Sequence, residues 1–314
     1  MKSLRTEQSL LGPAFVAVWS SGYVVGSVAT RSIAPLTVTM WRFVVSALVL
    51  AAIAAYRRER WPRGLRDVTF TAVTGLVAFG IQFTALYRGL AEGMPAATTA
   101  LIACSAPLLV AVAGAGLGWD RLSGRQWLGV LLGVVGVVVT LSDRLGRPPS
   151  LEALLWTLAG LGGLAGGSLL QGRLHGRGGP TALTTVQMVA GAVATAFWAP
   201  FAGSLRIPET APALTSFAWL ALVAGVVGPL LLLAMIQRNG PTRGTSLLFL
   251  VPSVTALLGW VLLGEPVGAL ALVGLGVAGL GLWLGRRTPT HEPIPVGVPL
   301  RAGASAEREL CAST

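Results

Sequence analysis

The chain has 314 residues, 54% of them hydrophobic and 11% charged, with a mean hydropathy of +0.73 and a formal net charge of +11. Soluble domains carry about a quarter charged residues, so this composition excludes a soluble protein, and its continuous apolar runs exclude an outer-membrane barrel, whose strands alternate apolar and polar residues. The positive balance does not point to nucleic acid, because the arginines lie mostly in short loops between apolar runs.

A hydrocarbon core of roughly 30 Å needs about 20 apolar residues per helix. Ten runs meet that length, near 11–30, 36–56, 68–88, 95–118, 125–142, 152–171, 181–201, 214–236, 243–263 and 267–285. The first follows Lys2 and Arg5, lacks an obvious small-x-small cleavage site and is expected to be retained as a span. It carries Trp19, Ser20 and Tyr23 among small residues that include Gly22 and Gly26. The second contains Arg42, the only arginine well inside a run; a charge there costs about 2.5–3.5 kcal/mol unless paired or wet. Two explanations stay open, snorkelling to the outer surface and anchoring of a carboxylate. The third carries Gln82.

The fourth, "ALIACSAPLLVAVAGAGLGWDR", has Thr98 and Thr99 just ahead of it or at its start, then Ser105 and Pro107. Pro107 removes the donor to the Ala103 carbonyl and is expected to create a soft point, with Ser105 placed to satisfy freed polar groups. Gly129 and Gly133 in the fifth run and Gly162 and Gly166 in the sixth read as close helix contacts. The sixth also holds Ser168 and Gln171. The ninth, "TSLLFLVPSVTALLGWVLLGEP", carries Pro252, which removes the donor to Leu248, with Ser253 beside it. Glu265 before Pro266 reads as the cap of the tenth helix, which has Gly274 and Gly281 on one stripe.

Residues 288–314, proline-rich, polar and poor in aromatics, are expected to form a disordered cytoplasmic tail. Cys104 and Cys311 are too far apart in sequence and setting for a disulfide framework or a CxxC site. No metal or other cofactor is expected.

Arginine placement sets the orientation. Inner loops hold Arg57, Arg58, Arg60, Arg63 and Arg66, then Arg121 and Arg125, Arg173 and Arg177, Arg238 and Arg243, and Arg286 and Arg287, against few arginines outside. By the positive-inside rule both termini are cytoplasmic. A shift of 145 residues then places Pro35 on Pro180, Gly22 on Gly167, Arg42 on Gln187, Gly80 on Gly225, Pro107 on Pro252 and Asp120 on Glu265. Five spans per repeat is an odd number, so the second half is expected to be inverted. Inverted repeats are typical of transporters, with the site at their interface near the midplane. The expected architecture is an all-α membrane protein of ten transmembrane helices in two inverted five-helix repeats, 1–148 and 149–287.

"AVWSSGYVVGSVATRSIAPLTVTMWRF" (17–43), the two proline-centred runs, "LGWDRLSGRQWLGVLLGVVGVV" (117–138) and "LGEPVGALALVGLGVAGLGL" (263–282) resemble the drug/metabolite transporter superfamily, in its EamA-type ten-helix branch. The resemblance covers roughly residues 10–287. It implies a bacterial inner-membrane exporter whose partners are the bilayer and a small-molecule substrate, acting as a monomer. It also implies a central cavity to which helices 1, 3, 4 and 6 contribute. On those helices lie Trp19, Ser20, Tyr23, Gln82, Thr98, Thr99, Ser168 and Gln171, each of which taken alone is explained by hydrogen bonds between helices.

With Arg42 and Ser105 these residues form the candidate substrate site, and Pro107 and Pro252 the candidate hinges. All twelve acidic residues lie in loops, at helix ends or in the tail, and both histidines lie outside the runs. No intramembrane proton relay is therefore expected, and the spans offer no catalytic pairing for an intramembrane enzyme. A small neutral or zwitterionic metabolite, above all an amino acid, is the expected cargo. Other hydrophobic compounds or drugs, nucleotide or lipid-linked sugars, and a non-transporting scaffold remain as alternatives.

Overall fold

The computed structural model describes residues 2–116, 123–142, 149–174, 176–199, 204–232, 234, 247–265 and 267–284. Cys311, Asp120, Arg121, Arg238, Arg243, Arg286, Arg287, Pro266 and the tail 288–314 fall outside them. Among the described residues the regular structure is entirely helical. In order these are α1 (Lys2–Ala29), α2 (Pro35–Tyr56), α3 (Gly64–Ala91), α4 (Ala96–Cys104), α5 (Ala106–Gly116), α6 (Gly124–Ser142), α7 (Leu151–Gln171), α8 (Pro180–Trp198), α9 (Ala211–Leu232), α10 (Val251–Leu263) and α11 (Ala269–Leu284).

Seven of them, α1, α2, α3, α6, α7, α8 and α9, contain stretches long and apolar enough to cross a membrane, and shorter apolar helices cover Ala96–Val110, Val251–Leu263 and Ala269–Gly281. Backbone groups in hydrocarbon must bond within their own segment, which is why so apolar a chain forms helices. Pro35 and Pro180 each occupy a first helical turn, where a missing N–H costs nothing.

Without a strong hydrophobic drive between helices in lipid, close approach decides which faces meet. The most extensive pairing joins α6 to α11. There, a Cβ on Gly281 would stand 2.6 Å from the Gly129 carbonyl oxygen, and one on Gly136 would stand 2.6 Å from Ala278 Cβ. Against α3, the contact face of α7 is rotated one residue from the expected stripe. Gly162 meets nothing within 4 Å, whereas a Cβ on Gly163 would come within 2.8 Å of the Gln82 nitrogen. Helix α2 runs along α8, where Phe43, Ala47, Leu50, Met188 and Ala192 form a buried cluster with Val226 of α9. A larger core gathers Phe15, Val24, Leu86, Ala100, Leu220 and Val251 from α1, α3, α4, α9 and α10.

The two prolines do not sit in continuous helices as expected. The fourth run breaks at Ser105 (φ −78°, ψ −3°), and Pro107 lies exposed in the first turn of the helix that restarts at Ala106. Pro252 is likewise in the first turn of α10, which follows a 3₁₀ turn at Leu247–Leu250. A proline in a first turn forfeits no intrahelical bond, so the break lies before it rather than at its missing donor. Ser105 Oγ donates to the Leu101 carbonyl (3.0 Å) rather than to the Ala103 carbonyl that Pro107 leaves without a donor, and Ser253 is exposed. Two further interruptions are π-turns, Leu76–Ile81 within α3 and Trp219–Val227 within α9.

Many polar contacts run between the first and second halves of the chain. Ser46 Oγ, fully buried, donates to the Ala221 carbonyl (2.7 Å), Thr37 Oγ1 to the Ser204 carbonyl (2.7 Å) and Trp41 Nε1 to the Leu205 carbonyl (3.1 Å). At the opposite end, Glu59 Oε2 accepts from the Thr181 and Ala182 amides (2.8 and 3.0 Å) at the N-terminus of α8, and Arg177 is ion-paired with Asp67.

Candidate functional site

A small cavity of about 40 Å³ lies between α1, α2, α3 and α9. Helix α1 supplies Trp19, Gly22 and Tyr23, α2 supplies Arg42, α3 supplies Gln82, Phe83, Leu86 and Tyr87, and α9 supplies Ala224. Gln82 is placed by the π-turn that ends at Ile81: the widened turn re-aims the residues after it, a frequent use of π-turns. The spacing of Phe79, Phe83 and Tyr87, one helical turn apart, then stacks a column of rings along the same face, with Phe83 6.2 Å from Phe79 and 6.0 Å from Tyr87.

Arg42 does not snorkel. It is 3% exposed, its Nη1 donates to the Tyr87 hydroxyl, and its guanidinium carbon lies 4.3 Å from the Phe83 ring centroid and 5.4 and 5.5 Å from those of Phe43 and Tyr87. Its Nε is buried with no hydrogen-bond partner, and among the described residues no carboxylate pairs with it. Ring faces attract a cation but do not neutralise it. Among the described residues the cavity therefore has one fixed positive charge, no fixed negative one, aromatic and apolar walls, and hydrogen-bonding groups from Gln82 and the two tyrosines.

Of the ten residues expected from sequence to form a site, the structure brings four together here: Trp19, Tyr23, Arg42 and Gln82. Ser20 is buried behind the cavity and donates to the Val251 carbonyl (3.2 Å), tying α1 to the start of α10. Thr99 is fully buried with its hydroxyl on the Pro95 carbonyl (3.0 Å), Ser105 serves the helix break, and Ser168 is exposed with its hydroxyl on the Leu164 carbonyl (2.7 Å). A hydroxyl that reaches back four residues satisfies itself on its own helix and needs no ligand.

Gln171 is paired amide to amide with Gln187 (2.9 and 3.2 Å) near the Asp67–Arg177 end of the bundle. Thr98 faces a second, separate space with Thr140 and Glu265. Glu265 does not cap the last helix, which begins at Ala269; its amide bonds the Gly259 carbonyl (3.2 Å).

Sequence reasoning missed Phe83, Leu86, Tyr87 and Ala224. The signal for two of them was present in "AFGIQFTALYRGL", where aromatic residues recur every four positions opposite the one intramembrane arginine. Metal chemistry has no footing in the described residues, which contain no group of three or more histidine, cysteine or acidic side chains.

Comparison with known proteins agrees with this architecture. A model of the EamA-like transporter family matches residues 9–142 and 151–285. The chain is similar to a probable amino-acid metabolite efflux pump of Salmonella typhimurium, at 26% identity over 86% of this chain and 91% of that one. It is also similar to the uncharacterized inner membrane transporter YedA of Escherichia coli, at 25% identity over 84% and 85%. A solved crystal structure superposes with a TM-score of 0.63 at 18% identity, covering 89% of this chain and 96% of that one, which establishes likeness of fold.

Proposed function

The chain belongs to the EamA-like transporter family, a multi-pass membrane transporter rather than an enzyme, and on that premise we propose that it exports amino acids or closely similar small metabolites by alternating access through the cavity around Arg42. The observation that carries this reading is a buried guanidinium that lines a cavity and, among the described residues, has no acidic partner. A carboxylate brought by the substrate supplies the missing partner, while the apolar wall takes the side chain. The similar protein named as an amino-acid metabolite efflux pump supports the same class.

The architecture proposed is ten spans in two inverted repeats, with α4 and α5 together forming one span. Helices restart at Ala106 and at Val251, 145 residues apart, and the π-turns at Leu76–Ile81 and Trp219–Val227 overlap under the same shift. The pairings α2–α8 and α6–α11 each join an element to its own counterpart, and α4–α10 joins the proposed fourth span to the ninth. Contacts of α1 with α9 and α10 mirror those of α7 with α3 and α5. This is the pattern expected of two halves related by a two-fold axis.

With both termini cytoplasmic, Arg42 lies seven residues past Pro35 at the outer end of α2, about 10 Å along the helix at 1.5 Å per residue. The ion pair Asp67–Arg177 and the pair Gln171–Gln187 then lie at the inner end, and the Thr37–Ser204 and Trp41–Leu205 bonds at the outer one; Pro107 and Pro252 mark the joints that exchange the outward-open and inward-open arrangements.

Counterflow in proteoliposomes with a panel of amino acids, quaternary ammonium compounds and nucleotide sugars tests the assignment. Exchange of amino acids is the expected result. Exchange confined to cations or sugars replaces the substrate class, and a protein that exchanges nothing under any gradient fits a scaffold instead.

A further inference from the structure

The site around Arg42 is lopsided in the partners it offers. Arg42 has an Nε–H without an acceptor and donates through Nη1 to Tyr87. The Tyr87 oxygen is accepting in that bond, which leaves the phenolic proton as the part of the hydroxyl able to engage something else. Guanidinium and phenol together therefore present donors and positive charge.

Among the described residues nothing in the lining presents the opposite. The acids described on and just after α3 are paired away from it, Glu92 with Arg88 (3.4 Å) and Asp67, at the far end of that helix, with Arg177. The faces of Phe43, Phe83 and Tyr87 already carry the guanidinium. An ammonium group entering this space finds only the Gln82 amide and the rings of Trp19 and Tyr23, all neutral, beside a like charge.

We propose that the group recognised is the carboxylate alone and that the substrate's nitrogen is carried best when it bears no charge. The class of substrate is then a monocarboxylic acid of amino-acid size, an N-acylated amino acid or a 2-oxo acid, transported at least as well as the free zwitterion. This inference rests on the assignment of the Arg42 cavity as the substrate site. Its physical basis is that stripping water from a carboxylate is offset by Arg42, whereas stripping it from an ammonium is not. Acylation removes that second charge for a few added atoms.

The test uses the full-length protein in proteoliposomes with leucine, N-acetylleucine and isoamylamine, three compounds that share a branched apolar chain. Uptake of the two acids is measured directly, and isoamylamine is added as an inhibitor of each. The expected result is N-acetylleucine flux equal to or above leucine flux, with no inhibition by the amine. Tyr87→Phe, which keeps the ring, should lower the flux of both acids alike by roughly tenfold, the size expected for a hydrogen bond to a charged group. Arg42→Lys, which keeps the charge but loses the planar fork, should lower both together.

Leucine flux more than about tenfold above that of N-acetylleucine, with inhibition by isoamylamine, overturns the inference, because the ammonium is then being recognised, and it leaves the amino-acid export reading standing. Absence of carrier-dependent flux for both acids overturns the two together.

Discussion

Arg42 on α2 donates to the hydroxyl of Tyr87 on α3 while resting 4.3 Å from the ring of Phe83, one helical turn earlier. The charge is thus held in place by groups that cannot neutralise it, which is an arrangement suited to an exchangeable counter-ion. Arg42→Ala should abolish substrate binding, and Phe83→Ala, which frees the guanidinium to move, should weaken it by several-fold. Both should reach the membrane in normal amount. Binding isotherms on purified protein check this, and wild-type affinity in Arg42→Ala would remove the cavity from the mechanism.

Because Pro107 and Pro252 stand in the first turns of restarted helices, alanine at either position lets the preceding helix run on through the break. Each variant should bind substrate within about twofold of wild type, a difference under 0.5 kcal/mol, and turn over more slowly. Parallel measurement of Kd and exchange rate separates the two effects. Wild-type exchange in both single variants would make the prolines passive.

The Asp67–Arg177 pair is partly exposed, 33% and 25% respectively, and a pair in such a setting contributes about 1 kcal/mol or less. Asp67→Asn should therefore raise the inward-open population up to about fivefold, since 1 kcal/mol corresponds to that factor. Thr74, fully buried on α3, gives a reporter: Thr74→Cys in a background with Cys104 and Cys311 replaced by serine should react faster from the cytoplasmic side. Exchanging the two charges should restore the slow rate.

Among the described residues no acid lines the Arg42 cavity. Collapse of the pH gradient in vesicles should leave flux down a substrate gradient unchanged. The one described acid beside a second cavity, Glu265, provides the control: Glu265→Gln should transport as wild type does. Uphill accumulation driven by a pH jump and lost in Glu265→Gln would assign coupling to that residue.

For topology, single cysteines near Arg31 and Ala269 should react with an impermeant reagent added outside intact cells, and Cys311 should not. Labelling of Cys311 from outside would reverse the orientation taken from the arginine bias.

Membrane class and helical architecture were legible because they depend on composition and run length. The site was legible only in part, for a local reason. Thr99, Ser105 and Ser168 look in sequence like cavity residues, yet each hydroxyl bonds a carbonyl four residues back on its own helix. Composition does not distinguish a hydroxyl satisfied that way from one awaiting a ligand.

Phe83 and Tyr87 were missed for the converse reason. Aromatic residues in a span read as packing until their position opposite Arg42 is known. Nor does a proline disclose on which side of itself a helix ends, so Pro107 and Pro252 read as kinks although the chain breaks before them.

The polar contacts between the two halves bear on how the protein is made. Ser46 bonds a carbonyl 175 positions ahead of it, Thr37 and Trp41 bond carbonyls beyond residue 200, and Glu59 waits for the amides of Thr181 and Ala182. During synthesis the first half of the chain leaves the ribosome before the residues that supply these partners. In the terms of biogenesis, neither half completes its own polar bonding, and each supplies acceptors or donors that the other uses in the folded protein.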